Sequence, residues 1–230
     1  MRISETFYSI QGEGTLAGLP SVFIRTAGCN LRCRWCDTPY AYRQTGGSER
    51  TIDSLVEEVM RHPTRFVVIT GGEPMLAEGI HDLAKRLVDG GRHVTIETAA
   101  TLLPRGISCS LASLSPKLKN SIPGTEVPVA VRRRHEEGRL KPDVIREWLD
   151  HYDYQLKFVV CSGSDIAEVI ALLDALGRSV DPEKVLLMPE GVDDGGFAAK
   201  TDGIIAACKE RGFRYCDRLH IRLYGQTRGR

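Results

Sequence analysis

Three cysteines within eight residues, Cys29, Cys33 and Cys36, carry the most distinctive chemistry in this 230-residue sequence. They stand in Gly28-Cys29-Asn30-Leu31-Arg32-Cys33-Arg34-Trp35-Cys36-Asp37-Thr38, a C-x3-C-x2-C run that follows a β-like segment. Such close spacing lets one loop wrap three corners of an iron–sulfur cubane, whose four irons take cysteine thiolates as ligands. Three thiolates leave one iron open, and an open metal position serves reactions where a structural site would be closed. The competing reading is a structural zinc site completed by a histidine such as His62 or His220, or by a fourth cysteine. Zinc sites usually come as paired C-x2-C units, and the sequence has no second one. Cys109, Cys161, Cys208 and Cys216 stand singly in apolar or helical contexts, as buried small hydrophobes do.

Further reactive residues stand at the ends of apolar runs. Phe66 to Thr70 leads into Gly71-Gly72-Glu73-Pro74, where the glycine pair lets backbone approach a ligand and the proline fixes the exit direction. Another run ends in Glu97-Thr98, whose acidic side chain could hold ribose hydroxyls or simply face solvent. Arg25 closes the first barrel-type run and can grip a carboxylate through two parallel hydrogen bonds.

The cysteine loop and the Gly-Gly-Glu-Pro element, in this order, resemble the radical S-adenosylmethionine superfamily. The resemblance implies a [4Fe-4S] cluster on Cys29, Cys33 and Cys36. It implies that S-adenosylmethionine caps the open iron and, given one electron, yields a 5'-deoxyadenosyl radical. Trp35 would lie near the adenine, and Gly72 and Glu73 near the methionine amino group. More narrowly, Tyr8-Ser9-Ile10-Gln11-Gly12-Glu13-Gly14, Gly18 to Arg25, Cys36-Asp37-Thr38, Ser115-Pro116-Lys117, Arg218-Leu219-His220 and Gly225 resemble the 7-carboxy-7-deazaguanine synthases, over nearly the whole chain. That family contracts the ring of 6-carboxy-5,6,7,8-tetrahydropterin with loss of ammonia, a carbon–nitrogen lyase reaction on the path to queuosine and related 7-deazapurines. The resemblance implies Mg2+ held through Thr38, and S-adenosylmethionine contacts from Cys36, Asp37, Glu97, Ser115, Pro116, Lys117, Met188, Pro189 and Glu190. It implies pterin contacts from Ile10, Gln11, Gly12, Glu13, Arg25, Thr70 and His220, a flavodoxin-like or ferredoxin-like electron donor, and a homodimer. One departure is Ala99-Ala100, where relatives often carry Asn-Gly.

These residues need a scaffold, and the hydrophobic pattern outlines one. Short β-branched runs at Ser21–Thr26, Phe66–Thr70, His93–Glu97, Ile107–Leu114, Gln155–Val160 and Lys184–Met188 alternate with helical stripes, with a shorter strand candidate at His220–Leu223. The stripes are Ile52, Leu55, Val56 and Val59; Ile80, Leu83, Ala84 and Leu87; and Ile166, Val169, Ile170 and Leu173. Two more helices are expected over Lys141–Leu149 and Gly196–Arg211. The pattern is α/β, and with the resemblance it predicts an open, partial parallel β/α barrel of about six strands in one domain over residues 1–230. Either a barrel or a doubly wound sheet binds ligands at the C-terminal ends of its strands. An excursion around 119–140 interrupts the pattern with proline, glycine and Arg132-Arg133-Arg134, a run that reads as a solvated face.

The bulk numbers agree with an ordinary soluble protein. A 42% hydrophobic and 27% charged composition with a formal charge of +1 gives no electrostatic reason to expect nucleic acid or an anionic membrane as partner. No basic leader followed by an apolar stretch opens the chain, and seven cysteines clustered in this way fit a reducing, cytoplasmic setting. Two rivals stay in view: an activating enzyme of the same superfamily that acts on a glycine of a partner protein, and a noncatalytic metal-binding module for nucleic acid.

Overall fold

The computed structural model describes every residue except 44, 192, 193, 226 and 230, and for 194–199 it describes the backbone alone. Among the described residues nine strands form one sheet: β1 (Arg2–Ile10), β2 (Pro20–Thr26), β3 (Ser48–Glu49), β4 (Phe66–Gly71), β5 (His93–Thr98), β6 (Leu111–Leu114), β7 (Tyr154–Val160), β8 (Val185–Pro189) and β9 (Arg214–Tyr215). Their order is β3-β1-β2-β4-β5-β6-β7-β8-β9, so the sheet is unclosed, with β3 at one edge and β9 at the other. From β2 to β9 every neighbour is parallel, while β1 runs antiparallel to both β2 and β3. The helices are α1 (Ile52–Met60), α2 (Ile80–Asp89), α3 (Val129–Gly138), α4 (Pro142–His151), α5 (Gly163–Ala175), α6 (Asp194–Arg211) and α7 (Leu219–Tyr224).

Alternation along the strands divides the sheet into two unlike faces. Val22, Ile24, Val67, Ile69, Val94, Ile96, Leu114, Leu156, Phe158 and Leu187 join one apolar core with helix residues such as Leu55, Leu83, Trp148 and Val169. The in-between positions, Ser21, Phe23, Arg25, Thr70, Thr95, Glu97, Ser113, Gln155 and Lys157, form the opposite face, and most are polar. A parallel sheet covered on both faces reads as a continuous apolar run, so these polar interruptions mark a side where something other than hydrocarbon is accommodated. The expected stripe on α1 is buried at Leu55 and Val59, and that on α2 at all four positions. On α5 the expected Val169 is buried and Ile166 and Leu173 pack partly against the core, while Leu172, outside the expected stripe, is buried as well.

The structure corrects several expectations. His220–Leu223 is not a strand but lies within the helix α7, because its apolar residues Leu219, Ile221 and Leu223 serve a single short turn capped at Gly225. The strand expected over Ile107–Leu114 begins only at Leu111; Ile107 is buried in the core from a loop that precedes it. A short strand, β9, follows α6 and escaped the pattern because two residues carry no periodicity. The excursion contains a full helix, α3, whose residues Arg133 and Arg134 are exposed while His135 is buried. The helix expected over Gly196–Arg211 is α6, whose first side chains lie outside the described residues. Among the described residues no helix is long and apolar enough to cross a membrane.

Candidate active site

A cavity of about 550 Å³ opens at the C-terminal ends of the parallel strands. Arg25 enters it from β2, Thr70 from β4, Glu97 from β5, Lys157 and Val159 from β7 and Met188 from β8. The segments that follow the strands add Gly72, Ser115, Lys117 and Glu190, and the cysteine loop and the N-terminal segment complete it. The structure thus gathers Ile10, Gln11, Gly12, Glu13, Arg25, Cys29, Cys33, Trp35, Cys36, Asp37, Thr38, Thr70, Gly72, Glu97, Ser115, Lys117, Met188, Glu190 and His220 around one space. Glu73, Pro116 and Pro189 do not line it. His62 packs against Tyr8 with its ring tilted, 4.7 Å between centroids, and neither it nor any cysteine outside the loop lines the cavity.

The cysteine loop is held from several directions. Gly28 receives a hydrogen bond from the Glu73 amide at 2.8 Å, and its own amide donates to Ala41 at 2.8 Å. A Cβ at Gly72 would come within 2.2 Å of the Gly28 carbonyl oxygen and 2.8 Å of the Cys29 Cβ, so this glycine packs directly on the loop, while a Cβ at Gly71 would meet Thr26 of β2. Glu73 is fully buried beneath it. Its Oε1 accepts from the Thr98 hydroxyl at 2.7 Å and the Met75 amide at 3.2 Å, and its Oε2 accepts from the Ala99 amide at 2.9 Å. Burial pushes this carboxyl up despite those three bonds. The side chain therefore joins the ends of β4 and β5 rather than reaching the cavity.

The three thiols are free of disulfides and share the cavity wall. Burial pushes Cys29 up to about 11 and Cys33 up to about 12. Without metal Cys29 and Cys33 are neutral thiols; iron would hold them as thiolates, with proton release on loading. This donor set of three sulfurs on one loop fits a [4Fe-4S] cluster with one iron left to a small ligand. Around Trp35 lie Val159, Leu186, Met188 and Cys216, with the Lys117 ammonium 5.4 Å from its ring centroid and 2.8 Å from the Ser115 hydroxyl.

The other end of the cavity is an ionic network. Burial alone would raise the Glu13 carboxyl, but the charges of Lys157 and Arg218 overcome it and hold the group well below the usual carboxylate range. Glu13 pairs with Lys157, and its Oε1 lies 3.1 Å from Arg218 Nε and 3.9 Å from His220 Nε2. Arg218 also pairs with Asp37 and so ties the N-terminal segment to the cysteine loop. Donor atoms of Glu13, Asp37 and His220 lie within 4.8 Å of one another, as metal ligands can, but the Arg218 guanidinium already supplies positive charge to both carboxylates. Gln11 is fixed from both ends of its amide, donating to Glu97 at 3.1 Å and accepting from the Glu13 amide at 3.1 Å. The Arg25 Nε donates to Glu5 at 2.8 Å, and Glu5 also accepts from the Tyr40 hydroxyl at 2.7 Å. Thr38 precedes the short turn Pro39–Ala41 without capping it, and its hydroxyl lies 3.9 Å from Cys36 Sγ. That oxygen is left to take a hard cation, which fits Mg2+.

Two residues of this network, Lys157 and Arg218, belong to none of the sets expected from the sequence to touch cofactor or substrate. The signal for Lys157 was present, since a lysine within the otherwise apolar run Leu156–Val160 lies in phase with Gln155 and Val159. Phe7 and Phe23, stacked at 4.8 Å, also line the cavity and were invisible as a pair because only strand register unites them.

Comparison with known proteins agrees with this geometry. Residues 23–188 match the Radical SAM superfamily. With the cysteine loop at the mouth of an unclosed parallel sheet, the chain is a member of that superfamily, whose chemistry rests on a [4Fe-4S] cluster and S-adenosylmethionine. A 7-carboxy-7-deazaguanine synthase of Rhodopirellula baltica is 43% identical over 99% of this chain and 88% of its own length. One of Halobacterium salinarum is 39% identical over 98% and 91%. The crystal structure of QueE from Escherichia coli superposes with a TM-score of 0.68 at 27% identity, covering 95% of this chain and 94% of that one. The chain belongs to the 7-carboxy-7-deazaguanine synthase family.

Proposed function

We infer that this enzyme contracts 6-carboxy-5,6,7,8-tetrahydropterin to 7-carboxy-7-deazaguanine with release of ammonia, in deazapurine biosynthesis. The observation that carries the reading is one cavity with three metal-ready thiols on one wall and a preset ionic network on another. The chemistry that the cluster and S-adenosylmethionine would supply is a one-electron reduction giving a 5'-deoxyadenosyl radical able to take hydrogen from the substrate. Cys29, Cys33 and Cys36 hold the cluster. Trp35, Gly72, Ser115, Lys117, Met188 and Glu190 surround S-adenosylmethionine, with Asp37 and Glu97 at its borders.

Arg25 binds the substrate carboxylate. Glu5 occupies its Nε edge, which leaves the terminal nitrogens of the guanidinium for the ligand. Glu13, held ionised, and Gln11, held in one amide orientation, present acceptors to the N–H groups of the guanine-like edge, with the backbone of Ile10 and Gly12, Thr70 and His220 completing the pocket. Burial pushes the His220 pKa down against the attraction of Glu13, so it enters as a neutral ring. Thr38 would hold Mg2+ through its hydroxyl oxygen. Glu73, Pro116 and Pro189, which face away from the cavity, support the loops that reach it. The chain acts as one domain and as a homodimer in the cytoplasm, and an external flavodoxin-like or ferredoxin-like protein delivers the electron.

The test is anaerobic reconstitution followed by incubation with a low-potential reductant, S-adenosylmethionine, Mg2+ and the carboxytetrahydropterin. The expected result is a brown protein that forms the deazaguanine by mass, and a colourless product when Cys29, Cys33 or Cys36 is replaced by alanine. A cluster-replete protein that leaves the pterin unchanged would overturn the substrate assignment. A wild type that binds one zinc and no iron would overturn the metal assignment.

A further inference from the structure

The excursion between β6 and α4 grips the cysteine loop at consecutive positions. His135 of α3 is 1% exposed. Its Nδ1 accepts the Arg32 amide hydrogen at 3.0 Å, and its Nε2 lies 3.1 Å from Ser121 Oγ. Ser121 Oγ donates to the Leu118 carbonyl at 2.6 Å. Two residues along the cysteine loop, the Arg34 amide donates to the Ser121 carbonyl at 2.9 Å. Next to it, the Trp35 indole donates to Asn120 Oδ1 at 3.1 Å.

The protons in this chain are determined by counting. Nδ1 receives a backbone N–H, so it carries a lone pair and the ring hydrogen is on Nε2. The serine has one hydroxyl hydrogen, given to Leu118, so it accepts from Nε2. A charged imidazolium would set an N–H against the Arg32 N–H, and burial together with the charges of Arg139 and Lys117 pushes the His135 pKa down to about 4. The ring is neutral and in a single tautomer.

We propose that His135 is a positioning residue for the cluster: through the Arg32 amide directly, and the Arg34 amide by way of Ser121, it fixes the backbone on both sides of Cys33 before iron arrives. This rests on the cluster assignment to Cys29, Cys33 and Cys36. It gives α3 and the turn before it a task in cluster retention that the substrate contacts do not explain.

Outer partners of metal ligands commonly alter retention by about 10–100-fold, so the measurement is the rate of iron loss to a chelator from the reconstituted protein. His135→Leu keeps volume and removes the acceptor. His135→Asn keeps an acceptor near the Nδ1 position. With folding checked by circular dichroism, His135→Leu should lose iron at least about tenfold faster than wild type, and His135→Asn within about threefold of it. The EPR spectrum of the reduced cluster should broaden in His135→Leu and stay close to wild type in His135→Asn. Equal retention in His135→Leu and wild type would overturn the proposal. So would equal impairment of the two folded variants, which would reduce the ring to packing. If His135→Leu does not fold, rapid iron loss from folded His135→Asn decides against the proposal and slow loss decides for it. A wild type that loads zinc and no iron would instead overturn the cluster assignment, so the two failures are distinguishable.

Discussion

At the scale of single residues, Glu13 has the largest consequences. Its folded pKa is depressed, so the stability it contributes is present above its unfolded value of 4.5 and is lost as pH falls through the much lower folded value. Acid unfolding that begins below about pH 4.5 should therefore have a component that disappears in Glu13→Gln. That variant also leaves Lys157 buried with Glu97, 3.9 Å away, as its remaining ion-pair partner among the described residues. Breaking a buried pair from one side costs roughly 3–5 kcal/mol, which denaturant unfolding at neutral pH will read. Lys157→Met with Glu13→Gln should recover much of that loss, while turnover stays low.

Ala100 poses a subtler case. It is fully buried and has φ of 54°, in the left-handed region that favours glycine. The strain is about 1–2 kcal/mol. Glycine would remove it, but would lose one buried methyl, about 0.8 kcal/mol, and would restore about 0.4–1 kcal/mol of unfolded-chain freedom. These contributions nearly cancel. Ala100→Gly should shift stability by less than about 1 kcal/mol, and Ala100→Val, with a branched side chain at the same φ, should destabilise clearly more; chemical denaturation distinguishes the two.

Elements were legible in proportion to their length and periodicity. The stripes of α1 and α2 and the runs of β2, β4, β5, β7 and β8 were visible because each buries one consistent face. Helix α7 was misread because six residues hold too few turns to show a helical period, and β9 is too short to show any. The site was legible where chemistry is concentrated in sequence, as at Cys29, Cys33 and Cys36. It was not legible where strand register alone assembles it, as with Phe7 beside Phe23 or Lys157 beneath Glu13. His135 was hidden for a related reason: a histidine inside a basic, glycine-bounded segment carries no sign of which loop it will meet. The docking of α7 on the N-terminal segment offers a test at this scale. The Leu219 amide donates to the Gly12 carbonyl at 2.9 Å, and a Cβ on Gly12 would come within 2.1 Å of His220 Nδ1. Gly12→Ala should displace the His220 ring, raise KM for the pterin at least about tenfold, equivalent to about 1.4 kcal/mol, and leave iron content unchanged.

Over the whole molecule, folding and cofactor loading are linked. The cysteine loop draws its contacts from the segment after β4, the excursion and the turn at Ala41, so a cluster bound to the native loop stabilises all of them together. Reconstituted protein should melt several degrees above the iron-free form in differential scanning calorimetry, and chelation should reverse the difference. The gain should be smaller at low pH, where protons compete with iron for buried thiols.

The two-faced sheet has an implication for how such an enzyme could change. Helices pack on one side of the strands and the reactants meet the other, so the positions that choose a substrate are separate from those that hold the barrel together. Thr70, Ser113 or Val159 could be exchanged for side chains of similar size, and the pocket would acquire a different shape while Ile24, Ile69 and Phe158 kept their neighbours. Novelty in the ligand can thus arise one alternate residue at a time, with the architecture indifferent to the change.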